Sequence, residues 1–324
     1  MLQKIKVLDK EYEILDAKER LTIPDCIVGS HNKIGKGHGE AKFYVGSKNS
    51  ANFKFFDDFS RRCFFLKSDF LKYLNLVKEE YEHPSQPYKK KELLKEDWKK
   101  YFEEMNQSKE EFLEFELDFK KNIVGLRMYL NSNDKPYLFM RKISLPNITY
   151  ISVLKIKDES EKISYYFKLF ADFFGEESNP YELKIKEKEI REDKKIKDKP
   201  KIFLAREGQG EYRKNLLNEC PFCPITLVSD ERLLIASHIK PWVKSETEEK
   251  TDPKNGFMLT PTYDKLFDRG FITFEDNGTM RVSPWISPMN QGKLKIKDGN
   301  KVQLLPVKGR EKYLKYHREK VFNK

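Results

Sequence analysis

The sequence predicts an α+β protein of two domains, on three observations. Alternating apolar stretches separated by polar turns mark strands. A long amphipathic run repeats apolar positions at three- and four-residue intervals, as a helix does. Residues 182–201, "ELKIKEKEIREDKKIKDKPK", are almost wholly charged and close on a proline, which makes them the best boundary in the chain. Domains are expected at residues 1–190 and 191–324, the second with the charged linker at its start.

The first half opens its core at "NSANFKFFDDFSRRCFFLKSDFLKYLNLV", where the density of aromatics argues for a packed interior. From Leu93 to Phe119, "LLKEDWKKYFEEMNQSKEEFLEFELDF" predicts one helix, or two broken near Asn106–Ser108. Four strands are then expected, in "VGLRMYL", "YLFMRKISL", "ITYISVLKI" and "ISYYFKLFADFF", with turns at "NSNDKP" and "KDESEK". Two patterns here have weak chemical meaning. Asp172 with Glu182 and Lys184 fits a loose D…ExK arrangement, which chance supplies readily in a chain that is 35% charged. The stretch of residues 29–53, with His31 and His38, has the Gly, Lys and Asn content of a nucleic-acid contact or of an ordinary exposed loop.

The second half starts afresh at "IFLAREGQGEYRKNLLNECPFC", a Gly-Gln-Gly break, a short helix and a CxxC pair. Residues 233–239 predict a short strand that Pro241 stops, because proline has no donor to continue a ladder. "NGFMLT" predicts a second extended piece. "TPTYDKLFDRG" carries helix punctuation: Thr260 as N-cap, Pro261 at the first helical position, Gly270 as the stop. "FITFEDNGTMRV" predicts a hairpin at Asn277-Gly278, and "LKIKDGNKVQLL" another.

Charge and composition bound the function. Lys and Arg number 63 against 52 Asp and Glu, a net +11 that suits a polyanionic partner such as nucleic acid. No run of 18 apolar residues is present and the first residues lack the apolar core of a signal peptide, so a cytoplasmic protein with no membrane partner is expected. Four cysteines do not make a disulfide framework in a chain of this length; Cys26 and Cys63 read as buried, reduced thiols.

His238 ends the first strand of the second half, and Asp264 and Asp268 lie four apart on the helix, so both carboxylates share one face within about 5.4 Å of axial rise. That spacing suits one hard cation. Taken alone it is better read as Asp264 favoured by the helix N-terminus and Asp268 paired with Lys265 or Arg269.

The order is more specific than its parts. A His at a strand end, an Asn seventeen positions on and an acid nine beyond it on a helix resembles the HNH nuclease motif of the ββα-metal fold. The run "RxGQGxYR…C…LIASHIKPW…DPxNGxxLxPxxDxLFDRGFITF", from Ala205 to Ser283, is similar to HNH endonucleases of the restriction type, and "YLKYHREKVF" resembles that family's closing helix. The resemblance implies an N-terminal α+β recognition domain followed by a C-terminal HNH domain.

It implies His238 as the general base that activates water and Asn255 as the residue that holds the loop around it. Asp264 and Asp268 fall on metal-binding positions. The position before the base is an Asp or His ligand in many such nucleases and here is Ser237, a weaker one. Hydrolysis of a phosphodiester needs a deprotonated water and a cation, and Mg²⁺ with its oxygen ligands and retained waters suits two carboxylates. Cys220 and Cys223 form one CxxC pair where many members have two holding Zn²⁺. Four ligands would require Cys26 and Cys63, a partner chain or His317, and a metal-free reduced pair is an equal reading.

Arg206, Arg213, Lys214, Lys240 and Lys244 are expected to contact DNA phosphates. The implied partners are double-stranded DNA, a second copy of the chain on it, and a cognate methyltransferase acting on the same site. Two alternatives stay open: an enzyme that requires methylated DNA, and an inactive DNA-binding protein in which Ser237 marks decay of the site.

Overall fold

The computed structural model describes residues 3–22, 43–46, 51–56, 62–85, 88, 91–122, 127–146, 148–171 and 211–324. The charged run of residues 182–201, and Cys26, His31, His38, Asp172, Glu182, Lys184 and Arg206, lie outside the described residues. The chain divides into two compact units, Met1–Phe174 and Gly175–Lys324. Among the described residues no helix is long and apolar enough to cross a membrane.

The first unit is built on a six-stranded sheet. Its strands are β1 (Lys4–Val7), β2 (Lys10–Thr22), β4 (Arg62–Leu66), β5 (Phe112–Phe115), β8 (Thr149–Lys157) and β9 (Ile163–Ala171), in the order β1-β2-β8-β9-β4-β5. All neighbours are antiparallel except β4 and β9. A second sheet orders β3 (Phe43–Gly46), β7 (Arg127–Asn131) and β6 (Asp118–Asn122). The helices are α1 (Ala51–Phe55), α2 (Lys67–Leu76), α3 (Lys78–Glu82), α4 (Leu94–Gln107) and α5 (Lys135–Ile143). The core is aromatic, as the composition predicts: Phe65 stacks on Phe70 and Phe115, with ring centroids 4.7 and 5.1 Å apart.

Two expectations fail in this unit. The helix predicted from Leu93 stops at Gln107, and the chain continues as strand, because Leu113, Phe115 and Leu117 alternate inward with a period of two. "YLFMRKISL" is not a strand but α5. Tyr137, Met140 and Ile143 recur at helical spacing on its buried side, and Asp134 and Pro136 open it as helix-start residues do.

The second unit has its own core, which includes Leu216, Phe257, Phe267, Phe274 and Leu314. Residues 211–219 are helical (α6). Strands β10 (Ile235–His238) and β11 (Gly256–Leu259) form an antiparallel ribbon, and α7 (Pro261–Asp268) packs on both. Next come the hairpin of β12 (Ile272–Phe274) and β13 (Met280–Val282), α8 (Pro288–Lys293) and α9 (Glu311–Tyr316), which runs on as a wider turn through His317–Val321. The β12–β13 turn has Gly278 in the left-handed region, with its N–H donated to the Glu275 carbonyl. The second hairpin is not formed. Met280 N–H bonds to the Asn300 carbonyl and Asp298 accepts from Val282, so this segment docks on the β13 edge and not on itself.

Candidate active site

The ribbon and α7 supply the strand–strand–helix frame, and register decides what meets in it. His238 stands opposite Gly256, and Ser237 opposite Phe257. Side chains on a strand alternate faces, so Ser237 turns into the buried layer while His238 takes the other side.

His238 is held on several sides. Its Nε2 lies 3.0 Å from the Lys250 carbonyl. A carbonyl only accepts, so Nε2 carries the hydrogen and Nδ1 carries the free lone pair. Among the described residues Nδ1 has no partner. The ring stacks on Tyr212, centroids 4.0 Å apart and planes 17° from parallel, and meets the edge of Trp242 at 5.5 Å and 84°. Burial lowers its pKa from the ordinary histidine value, and the Lys250 contact offsets part of that. The imidazole is therefore neutral at pH 7, with a basic nitrogen available.

Asn255 is fully buried and organises the loop between the strands. Its Oδ1 accepts from Lys240 N–H at 2.8 Å; its Nδ2 donates to the Lys240 and Glu249 carbonyls and to Ser245 Oγ. One amide thus ties three points of the loop that presents the Lys250 carbonyl to His238. Arg310, also buried, secures the same corner from α9's start by donating to the Gly256 and Pro253 carbonyls, and Tyr313 donates to Asp252 at 2.6 Å.

Asp264 is buried in the first turn of α7, and loss of water pushes its pKa up to about 6. The Ser237 hydroxyl lies near enough to draw that value partly back, yet it completes no hydrogen bond, so Oγ is buried without a partner. A strained carboxylate beside an orphaned hydroxyl is a pair of hard oxygen donors whose burial a cation would relieve. Asp268 lies one turn on and is half-buried. Among the described residues no three His, Cys, Asp or Glu side chains converge as a metal cluster.

The frame of strand, loop, strand and helix with these side chains can be compared with known proteins. Residues 223–275 match the HNH endonuclease family. No curated protein matches the chain. The HNH match spans the ribbon, its loop, α7 and β12, and leaves outside it α6 with Tyr212 and the closing segment with Arg310 and His317.

The remaining predicted residues divide. Arg213 is turned inward: its guanidinium donates to the Leu234 and Glu231 carbonyls at 2.9 and 2.7 Å, tying α6 to the start of β10. Lys240 pairs with Glu249 and lies over the Tyr316 ring. Lys214 and Lys244 are exposed. Cys220 and Cys223 are both buried as free thiols, with Cys220 Sγ directed to the Phe222 carbonyl. His317 cannot complete a zinc site with them. Its Nδ1 bonds to Thr273 Oγ1, its Nε2 donates to the Phe267 carbonyl, and the ring stacks on Phe267 at 4.0 Å; burial lowers its pKa to about 3.

Sequence reading missed Tyr212, Lys250, Arg310 and Trp242 as parts of this site. Lys250 acts through its carbonyl, which any residue could offer. Tyr212 and Arg310 come from elements distant in sequence, and only the isolated aromatic after Gly-Gln-Gly hinted at the former.

Proposed function

We propose that this chain is a metal-dependent DNA endonuclease of the restriction type, with cleavage in the second unit and recognition of the target in the first. The observation that carries the reading is the state of His238: neutral, held by its Nε2–H, with Nδ1 unbonded at the end of the HNH ribbon. Nδ1 takes the proton of the attacking water, which then adds to phosphorus in line with the leaving 3′ oxygen. Asn255 keeps the loop in the shape that fixes this tautomer.

Asp264 with Ser237 beside it, and Asp268 one turn on, would hold a divalent cation such as Mg²⁺. When bound, that ion stabilises charge on the phosphoryl and leaving oxygens. Of the basic residues, Lys214 and Lys244 are positioned as free phosphate contacts, while Arg213 and Lys240 stabilise the site from inside. One site per chain cuts one strand, so a second copy assembles on DNA for a double-strand break, and a methyltransferase of the same specificity protects the host.

The test is cleavage of unmethylated and methylated plasmid DNA, with Mg²⁺ or EDTA, by wild type and His238→Ala. Discrete fragments from unmethylated DNA, lost in EDTA and in the variant, are expected. Fragments from methylated DNA alone would replace restriction by a modification-dependent role. Tight binding with no cleavage of either DNA would mark the protein as an inactive binder.

A further inference from the structure

We propose that Tyr212 is a positioning residue of this site, a clamp that fixes the plane of the His238 imidazole; the inference rests on reading His238 as the base. The Lys250 carbonyl holds the ring at one atom, Nε2. A single tether leaves the ring free to tilt about that bond. The Tyr212 face, parallel to the imidazole within 17° and 4.0 Å away, removes that freedom, and the edge of Trp242 closes another side.

Tyr212 is itself fixed by the machinery it serves. Its side chain is 2% exposed and its hydroxyl donates to the Asn255 carbonyl at 3.0 Å. The residue that arranges the loop through its side chain thus anchors the clamp through its backbone. Gly256 completes the interlock. Its φ of −167° is extended backbone that any residue adopts, so glycine is not needed for conformation. It is needed for room: a Cβ there would lie 1.9 Å from the Tyr212 hydroxyl and 2.9 Å from the Ser237 carbonyl. Glycine opposite the histidine makes space for the phenol, and the phenol lies on the imidazole. Tyr212 lies outside residues 223–275, so the HNH match assigns it nothing.

A tyrosine that only filled the core would be replaced about equally well by any apolar residue of similar bulk. A clamp requires a flat ring. Tyr212→Phe keeps the ring and loses the hydroxyl; Tyr212→Leu keeps apolar bulk and loses the plane. Misplacement of a reacting group by about 1 Å costs roughly 100-fold in rate. Tyr212→Leu is therefore expected to lower kcat about 10- to 100-fold with KM little changed, while Tyr212→Phe stays within a fewfold of wild type. Equal activity of the Leu and Phe variants would overturn the clamp.

A second readout does not depend on cleavage. In NMR spectra of the intact protein, the His238 ring protons should be shifted upfield by the stacked Tyr212 ring in wild type and in Tyr212→Phe, and should return toward ordinary values in Tyr212→Leu. Unshifted ring protons in wild type would overturn the proposal even if the Leu variant failed to fold. A wild type that cuts no DNA but shows the shift would reject the nuclease reading and leave the clamp standing.

Discussion

Asp264 is a carboxylate placed where water hardly reaches it, and this placement sets its energetics. Its pKa stands near 6 in the folded protein against an ordinary 3.8, so the folded state binds a proton more tightly than the unfolded chain. Stability then falls as pH rises from about 4 to about 6, and stays lowered above that range. At ~1.4 kcal/mol per pKa unit the two-unit rise is worth about 3 kcal/mol. Metal-free Asp264→Asn is therefore expected to melt above wild type at pH 8, by up to that amount, with the difference closing below pH 4. Mg²⁺ should raise the melting temperature of wild type and not of the variant. Calorimetry at both pH values checks this, and a variant less stable than wild type at pH 8 in EDTA would show that the carboxylate is not strained. The spacing of Asp264 and Asp268 was legible in the sequence, but which of the two is buried was not. An i, i+4 pair defines a face and not its depth, which is set here by the ribbon beneath α7. His238 and Asn255 were legible as a pair for the opposite reason, since their order and separation along the chain encode the ribbon. Arg213 and Lys240 show the limit: a basic residue near a site reads as a phosphate contact until its partners are seen to be carbonyls and Glu249.

Helix α7 ends in a way that ties it to the closing segment. Phe271 N–H bonds to the Leu266 carbonyl and Gly270 N–H to Phe267, with Gly270 at φ +66°, the paired bonds of a left-handed helix stop. A Cβ at this glycine would lie 2.1 Å from the Val321 carbonyl oxygen, which belongs to the wide turn after α9. Gly270→Ala is thus expected to cost the ~1–2 kcal/mol of left-handed backbone and a backbone collision besides. It should displace the closing turn, exposing His317 and Phe267, and a drop in melting temperature with faster amide exchange at Val321 and Phe322 would be the sign. Wild-type stability in this variant would mean that the closing turn yields freely. Helix stops of this kind are legible because glycine and proline carry local geometry. The elements that were not legible lacked such marks. "YLFMRKISL" is a short apolar run whose period is ambiguous until the buried set of Tyr137, Met140 and Ile143 is known. "LKIKDGNKVQLL" has a turn signal, but Asp298 and Asn300 find partners on β13 that no local pattern announces. Thr260 stands at the N-cap position of α7 as its type predicts, yet its side chain makes no capping bond and lies 4.0 Å from Cys223 Sγ.

The whole chain has two hydrophobic clusters, and neither borrows a residue from the other unit: Phe65, Phe115 and Phe167 centre the first, Phe257, Phe267 and Phe274 the second. A unit with its own core can fold alone. The second unit also holds every residue assigned to water activation, including Tyr212, Lys250 and Arg310, which complete its inner shell without help from the first. Its free phosphate contacts, Lys214 and Lys244, are point charges that fix position on a backbone and read no bases. Chemistry and discrimination are therefore expected to come apart. Residues 205–324 produced alone should cleave plasmid DNA in Mg²⁺ into a continuous smear, more weakly than the full chain and with steep loss as salt rises. The full chain should give discrete fragments under the same conditions. A fragment lacking the first unit that still cut at discrete sites would place recognition in the HNH unit itself, in its loop 240–254 or the β12–β13 hairpin, and would leave the six-stranded sheet without the role assigned to it.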